Sequence, residues 1–258
     1  MESDPALNYE CSEGLDMMKL YTSVFSVRRE NFLLSFIRSS ESNLSTCILG
    51  TLHLSYEENG EVKPLKFIKL EKCSKLKSAF LILLILLRFP DESGHSLCLI
   101  IDNRRHEIEF FDSNGAKGYW WKTVDNYLGI YSSDNFPSYT YVSTLSFCPI
   151  GPQYVSQDEY CNLWNLLYIY LRLKYPVINR KLIIKYLLDN NNKGIAMSFL
   201  CYLDAYATKN KMYQAIAVIE STIENMETDL DLERFRLMES YRLKADYESI
   251  IKLRYPYN

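Results

Sequence analysis

The sequence predicts an α+β protein in which most strands precede most helices. The apolar run AFLILLILLRF at residues 79–89 is too short to span a bilayer and is typical of a buried strand. Beyond Ile178 the pattern becomes helical, with apolar residues spaced by three and four positions. One such face, which we expect to pack against the core, consists of Met212, Ile216, Ile219, Ile223, Met226 and Leu230. Strands first and helices last favour the α+β class.

The first part of the chain divides into an extension and the start of a core. Residues 1–45 form an N-terminal extension with one helix expected around Phe25–Ile37. Residues 51–70 have the pattern of a β-hairpin whose turn is Asn59-Gly60. The buried strand at 79–89 follows this hairpin.

The core is expected to run from residue 46 to residue 177, followed by a helical C-terminal region at 178–258 that packs on it. The later core elements are two strands, a short helix after a Tyr-Trp-Trp sequence, a third strand and an apolar helix that stops before a proline. They are Leu97–Asp102, Glu107–Asp112, the helix after Tyr119-Trp120-Trp121, Tyr139–Leu145, and the helix that ends before Pro176.

Composition limits the partners. The chain has 258 residues, 48% of them hydrophobic, which is enough to bury a proper core. A formal net charge of −3 gives no electrostatic reason to expect nucleic acid or an anionic membrane as a partner. The N-terminus, MESDPALNYECSEG, is acidic and polar, unlike a signal peptide. We therefore expect a soluble, cytoplasmic protein.

The cysteines indicate neither a disulfide framework nor a zinc site. Their number is odd and no short spacing repeats, so the sequence predicts free thiols in a reducing compartment and no metal. The seven are Cys11, Cys47, Cys73, Cys98, Cys148, Cys161 and Cys201.

The stretch GHSLCLIIDNRRHEIEFFDSNG at residues 94–115 is the first candidate site. If its two strands form a hairpin with the turn centred on Asn103-Arg104, His95 directly faces Asp112, with Cβ atoms roughly 4.5–5.5 Å apart. The opposite face is polar enough to be solvated and carries Ser96, Asp102, Arg105, Glu107 and Glu109. An imidazole held by a carboxylate is oriented and stabilised as imidazolium. The alternative is a strand cap and a turn residue with no joint role.

Two further motifs lie near the apolar helix, whose sequence begins YCNLWNLLYIYL. Cys161 stands at its first turn, where unpaired N–H groups and the helix dipole favour a thiolate. An inert buried thiol is the alternative. In the preceding IGPQYVSQDEY, Gln153 or Gln157 has an amide suited to stabilising an oxyanion beside the Cys161 backbone N–H. Together the motifs supply a base, its orienting acid, an oxyanion donor and a nucleophile.

In this order of residues the chain resembles the adenain/Ulp1-like cysteine peptidases, which include viral maturation proteases and SUMO- and ubiquitin-type deconjugating enzymes. The matching positions are His95, Asp112, a glutamine and Cys161. The amino-acid sequence around them is most similar to that of members encoded by large DNA viruses. The resemblance covers roughly residues 79–175. It implies a central mixed or antiparallel sheet packed on a buried helix that begins at the catalytic cysteine.

The chain departs from the family pattern at two positions. Many members have Trp directly after the histidine and Gly after the cysteine, where this chain has Ser96 and Asn162. Neither departure removes a catalytic group. Of the two glutamines, Gly151-Pro152-Gln153 is the better match, so Gln153 is the expected oxyanion donor. Structural roles are expected for His53 and His106.

The resemblance implies a cysteine peptidase or isopeptidase that needs no metal or organic cofactor. Its protein substrate is either a viral precursor or a conjugate of a ubiquitin-like modifier, both with extended, Gly-containing segments. Trp120 and Trp121 are candidates to line the substrate cleft, whereas Trp164 is expected to be buried packing. Two alternatives remain open: an effector-type acetyltransferase with the same fold, and a catalytically degenerate binding protein.

Overall fold

The computed structural model describes residues 1, 3–11, 16–26, 36, 45–69, 78–189 and 192–209. A first compact unit spans Met1–Ala207 and holds the sheet and the site described below. The boundaries predicted after residues 45 and 177 stay predictions. The helical face predicted from Met212 to Leu230 lies outside the described residues.

A six-stranded mixed sheet forms the centre of this unit, in the order β2-β1-β3-β4-β5-β6. Its strands are β1 Thr46–Tyr56, β2 Val62–Lys69, β3 Phe80–Arg88, β4 Gly94–Asp102, β5 Glu107–Asp112 and β6 Thr140–Val142. The β1–β3 and β5–β6 pairs are parallel and the other neighbours are antiparallel. The α+β class, the first hairpin and the buried strand are therefore confirmed.

Six α-helices with both ends in the described ranges accompany the sheet. They are α1 Met17–Ser26, α2 Trp121–Asn135, α3 Pro152–Ser156, α4 Cys161–Lys174, α5 Arg180–Asp189 and α6 Asn192–Lys209. The first helix begins at Met17, earlier than predicted; of the predicted range, only Phe25, Ser26 and Phe36 are described, and all three are helical. The apolar helix α4 ends before Pro176 as predicted. Within the described ranges, no helix combines the length and apolar character needed to cross a bilayer.

Helices cover both faces of the sheet. Val124 and Leu128 of α2 join one buried cluster with residues of β3, β4 and β5 such as Phe110. Because side chains alternate along a strand, Phe111 points to the other face, where its ring stacks on Tyr168 of α4 with centroids 3.9 Å apart. Burial on both faces explains why β3 is almost continuously apolar rather than alternating.

The register of the β4–β5 hairpin differs from the prediction. Asp112 pairs with Leu97, so His95 lies diagonally across from it, not directly opposite. The loop spans Asn103–His106, and His106 adopts a left-handed φ of 54°. This wider loop is held by Asn103, whose N–H donates to the Ala79 carbonyl at 3.0 Å. A diagonal neighbour is still within reach of a histidine side chain.

Three of the five side chains on the polar face of this hairpin are buried, which corrects for them the prediction that the face is solvated, whereas Arg105 is exposed as predicted. Glu109 and Asp102 are 3% exposed and Ser96 is 8% exposed. Helix α4 covers this face and supplies Arg172, whose Nε donates to Glu109 Oε1 at 3.0 Å. A charge can be buried here because its partner is buried with it.

The prediction of free thiols throughout is also wrong. Cys11 and Cys201 form a disulfide with Cα atoms 5.6 Å apart, and Cys47 is also disulfide-bonded. A pair separated by 190 positions has no signature in local spacing, so the sequence could not indicate it. Disulfides are rare in reducing compartments, so the cysteines give the predicted cytoplasmic location no support.

Candidate active site

His95 and Asp112 are in direct contact at the end of the β4–β5 hairpin. The distance from His95 Nε2 to Asp112 Oδ1 is 2.8 Å, and the side chains are 5% and 0% exposed. Oδ1 also accepts the backbone N–H of Asn114 at 2.8 Å, while Oδ2 accepts the indole N–H of Trp120 at 3.2 Å. Three donors therefore fix the orientation of the buried carboxylate.

This contact sets the charge of the imidazole. Burial alone would lower the pKa of His95, but the charge and hydrogen bond of Asp112, together with those of Cys161, raise it to about 10. Because Nε2 is engaged by Asp112, Nδ1 is the nitrogen left for the hydrogen bond with the thiol. At neutral pH the site therefore favours an imidazolium next to the sulfur of Cys161.

Cys161 is the first residue of α4, as predicted, and is 9% exposed. Cys98 and Cys148 are the other buried cysteines outside disulfides in the described ranges. Burial, with the charge of Asp112 adding to it in both cases, raises the pKa of each of these two thiols. They are held as thiols, whereas Cys161 has a cationic neighbour in His95.

Asn165 connects the histidine strand to the first turn of the cysteine helix. Its Nδ2 donates to the carbonyl of Ser96 and, at 2.9 Å, to that of Cys161. One bond fixes the backbone of Cys161, and the other fixes that of Ser96, which directly follows His95 in the chain. Asn165 was not among the predicted site residues, although a polar side chain on a mostly apolar helix was a signal that could have identified it.

Two glycines allow the loop after Asp112 to meet the loop before α3. Gly115 has a φ of +69°, and a Cβ on it would lie 2.5 Å from the backbone nitrogen of Gly151. A Cβ on Gly151 would lie 2.0 Å from the Ser113 carbonyl oxygen. With no side chains between them, the loops pair through Gln153 N–H, which donates to the Ser113 carbonyl at 3.0 Å. The motifs DSNG and IGPQ are thus one structural unit.

The two candidate glutamines have different environments. Gln153 is 7% exposed; its Oε1 accepts from the Ser113 hydroxyl at 2.6 Å and its Nε2 donates to the Asp158 carbonyl at 3.0 Å. The amide nitrogen carries two hydrogens, of which this contact uses one. Gln157 is exposed and ends α3 in a left-handed conformation with φ 52°. Gln153 is thus the glutamine that is linked to both the Asp112 loop and the segment before Cys161.

The tryptophans occupy three different settings. Trp120 lies against His95 with ring centroids 5.1 Å apart, next to Phe89 at 4.9 Å. Trp121 begins α2, and its buried Nε1 has no hydrogen-bond partner. The predicted role of both in a substrate cleft stays a prediction. Trp164 is fully buried, as expected.

Helix α1 reaches the residues on either side of the cysteine. The Tyr21 hydroxyl accepts from Asn162 Nδ2 at 3.0 Å, and the Tyr21 ring lies 4.7 Å from that of Tyr160. The asparagine that directly follows Cys161 is therefore held by helix α1. A contact between residues 1–45 and the site was not predicted.

A buried ionic cluster joins β5 to α4 beneath the site. Glu109 accepts hydrogen bonds from Arg172 and from the hydroxyl of Tyr168, and its Oε2 lies 3.3 Å from Arg180 Nε. Arg172 is 0% exposed. The cluster was not predicted, because Arg172 falls in the last turn of a helix, where a basic residue is common on any solvated surface.

Comparison with known proteins adds no relative: neither a family model nor a curated protein sequence matches this chain. Within the part of the chain that the structure describes, no cluster of three or more His, Cys, Asp or Glu side chains could hold a metal ion.

Proposed function

We propose that this protein is a cysteine peptidase or isopeptidase with the adenain/Ulp1 architecture. The observation that carries the proposal is the buried contact from Asp112 to His95, extended by the hydrogen bond between His95 and Cys161 at the start of α4. The same three residue types in this chain order occur in the family that the sequence resembles. The fixed carboxylate and the cationic imidazole also support it.

In this mechanism Cys161 Sγ attacks the scissile carbonyl carbon, and its proton resides on His95. His95 then protonates the departing amine, which breaks the C–N bond and leaves a thioester on Cys161. Water hydrolyses the thioester with His95 as the base, releasing a carboxylate and restoring the thiol. Asp112 orients the imidazole throughout. The Cys161 backbone N–H and the second hydrogen of Gln153 Nε2 stabilise the oxyanion.

The proposed substrate is a protein with an extended, Gly-containing segment, either a viral precursor or a ubiquitin-like modifier conjugate. The test is intact mass after the full chain is mixed with ubiquitin or SUMO carrying a C-terminal electrophile. Cys161→Ala is the comparison and Cys148→Ala the matched control, because both remove a buried sulfur. We expect one adduct that is lost only with Cys161→Ala.

The other outcomes separate the alternatives. Selective alkylation of Cys161 by iodoacetamide without an adduct would direct the search to precursor cleavage or to acyl transfer from acetyl-CoA. If Cys161 reacts no faster than the other buried thiols, the peptidase proposal is wrong and the binding protein is favoured.

The oxyanion role predicts unequal effects for the two glutamines. Gln153→Ala should reduce kcat by about 10²–10³-fold, because one donor to the oxyanion is lost. Gln157→Ala should leave kcat unchanged, because that side chain is exposed. Steady-state kinetics on a cleavable peptide would measure both. Equal kcat values for the two variants would contradict the assignment of Gln153.

A further inference from the structure

We propose that Trp120 is a positioning residue that locks the Asp112 carboxylate and covers the His95 imidazole. The inference rests on the proposed function, which it deepens by assigning a further residue of the same site. It replaces a cleft-lining role for Trp120 with one that acts through Asp112 and His95.

The hydrogen bond from Trp120 to Asp112 supports the first part of the proposal, that Trp120 locks the carboxylate. Asp112 Oδ1 is occupied by His95 and by the backbone of Asn114, which leaves Oδ2 to be held separately. The indole N–H of Trp120 donates to Oδ2 at 3.2 Å. Since Asp112 is 0% exposed, its Oδ2 has no contact with solvent and depends on this donor. Without it, rotation of the carboxylate would move Oδ1 away from His95 Nε2.

The contact between the Trp120 and His95 rings supports the second part of the proposal, that Trp120 covers the imidazole. The Trp120 ring lies 5.1 Å from the His95 ring, with the planes inclined at 55°. An aromatic face next to a cationic imidazole both attracts the charge and excludes water from it. Trp120 therefore contacts both partners of the His95–Asp112 pair.

The surroundings hold Trp120 in place. Its ring packs on Phe89 with centroids 4.9 Å apart and on Tyr119 at 5.0 Å. A Cβ on Gly118 would lie 2.4 Å from the indole, so a residue without a side chain is needed there. The side chain is therefore restricted before it contacts Asp112, which is what a positioning residue requires.

The test compares Trp120→Phe with Tyr141→Phe by the pH dependence of Cys161 alkylation with iodoacetamide. Both changes remove an aromatic donor to a carboxylate, but only Trp120 donates to Asp112, whereas the Tyr141 hydroxyl donates to Asp125 Oδ1 at 2.9 Å. Iodoacetamide does not need the substrate cleft, so a change in substrate binding cannot alter the result. Cooperative thermal unfolding establishes that each variant is folded, and Trp120→Leu replaces Trp120→Phe if it is not.

We expect Trp120→Phe to lower the alkylation rate constant at pH 6–7 by about tenfold, the loss typical of a hydrogen bond to a charged group. Its rate should rise only as the pH approaches the pKa of an ordinary thiol, about 8.5. Tyr141→Phe should keep the wild-type profile, because its hydrogen bond to Asp125 is not part of the site. If the two variants have the same profile while wild-type Cys161 remains selectively reactive, the role of Trp120 is overturned and the peptidase proposal stands. If wild-type Cys161 is not selectively reactive, both fail.

Discussion

Asp112→Asn is expected to reduce turnover by about 10⁴-fold, the effect of the same change in enzymes whose histidine depends on a buried aspartate. The reason is charge: the Asp112 carboxylate and its hydrogen bond oppose the burial that would otherwise lower the pKa of His95. With a neutral amide at 112, burial dominates and the imidazole is neutral at pH 7. Cys161 then loses its cationic partner.

The pH dependence provides the measurement. In the wild type, alkylation of Cys161 should be fast and nearly flat from about pH 6 to pH 8, below the His95 pKa of about 10. In Asp112→Asn the rate should be low at pH 6 and rise toward pH 8.5, as for a free cysteine. Asp102→Asn is the matched control, because that aspartate is buried in the same hairpin but is bonded to Arg104. A flat profile in Asp112→Asn would contradict the assignment.

Protonation of His95 should also make the free energy of unfolding depend on pH. The pKa of His95 is raised in the folded state, so between its unfolded value, about 6.5, and about 10 the imidazole holds a proton that it lacks in the unfolded chain. This contribution of the imidazole to the free energy of unfolding is complete below pH 6.5 and is lost as the pH rises to about 10. Urea unfolding of Cys161→Ala, in which no thiol titrates against the imidazole, should show that decrease at several pH values, and the double variant Cys161→Ala/Asp112→Asn a smaller one.

Glu109→Leu is expected to lower the free energy of unfolding by about 3–5 kcal/mol, the cost of leaving a buried charge without its partner. Arg172 is 0% exposed, and its remaining described hydrogen bond is to the Ile178 carbonyl at 3.3 Å. The Tyr168 hydroxyl would also lose its acceptor. Urea denaturation of the purified variant measures the loss.

The double variant Glu109→Leu/Arg172→Met tests the cause. Replacing both charges with apolar side chains removes the unpaired ion, so it should recover most of the lost stability. If the double variant is as unstable as Glu109→Leu, the loss comes from packing and the ionic explanation is wrong.

The elements that depend on local patterns could be predicted from the sequence. Asn59-Gly60 identified the first hairpin, and the continuous apolar run identified β3. His95, Asp112 and Cys161 were selected by residue type and order, and the structure brings them together. The contact between His95 and Asp112 was predicted correctly although the strand register was wrong, because a shift of two residues leaves each side chain on the same face of the sheet.

Features that depend on distant parts of the chain could not be predicted. Glu109 alternates with apolar residues as a solvated side chain would, and only the position of Arg172 on α4 explains its burial. Trp120 reaches Asp112 because Gly118 leaves room for the indole and Phe89 packs against it. The spacing of these residues along the sequence does not indicate this arrangement. The Tyr21–Asn162 contact likewise joins residues that are 141 positions apart.

The Cys11–Cys201 disulfide makes the chain between these residues a covalent ring, which contains His95, Asp112 and Cys161. A single backbone cut within the ring opens it but does not release a fragment, because the two pieces remain joined through sulfur. Such a nicked protein would migrate as one species without reductant and as two with it. Limited damage to a surface loop would therefore not separate the histidine strand from the cysteine helix.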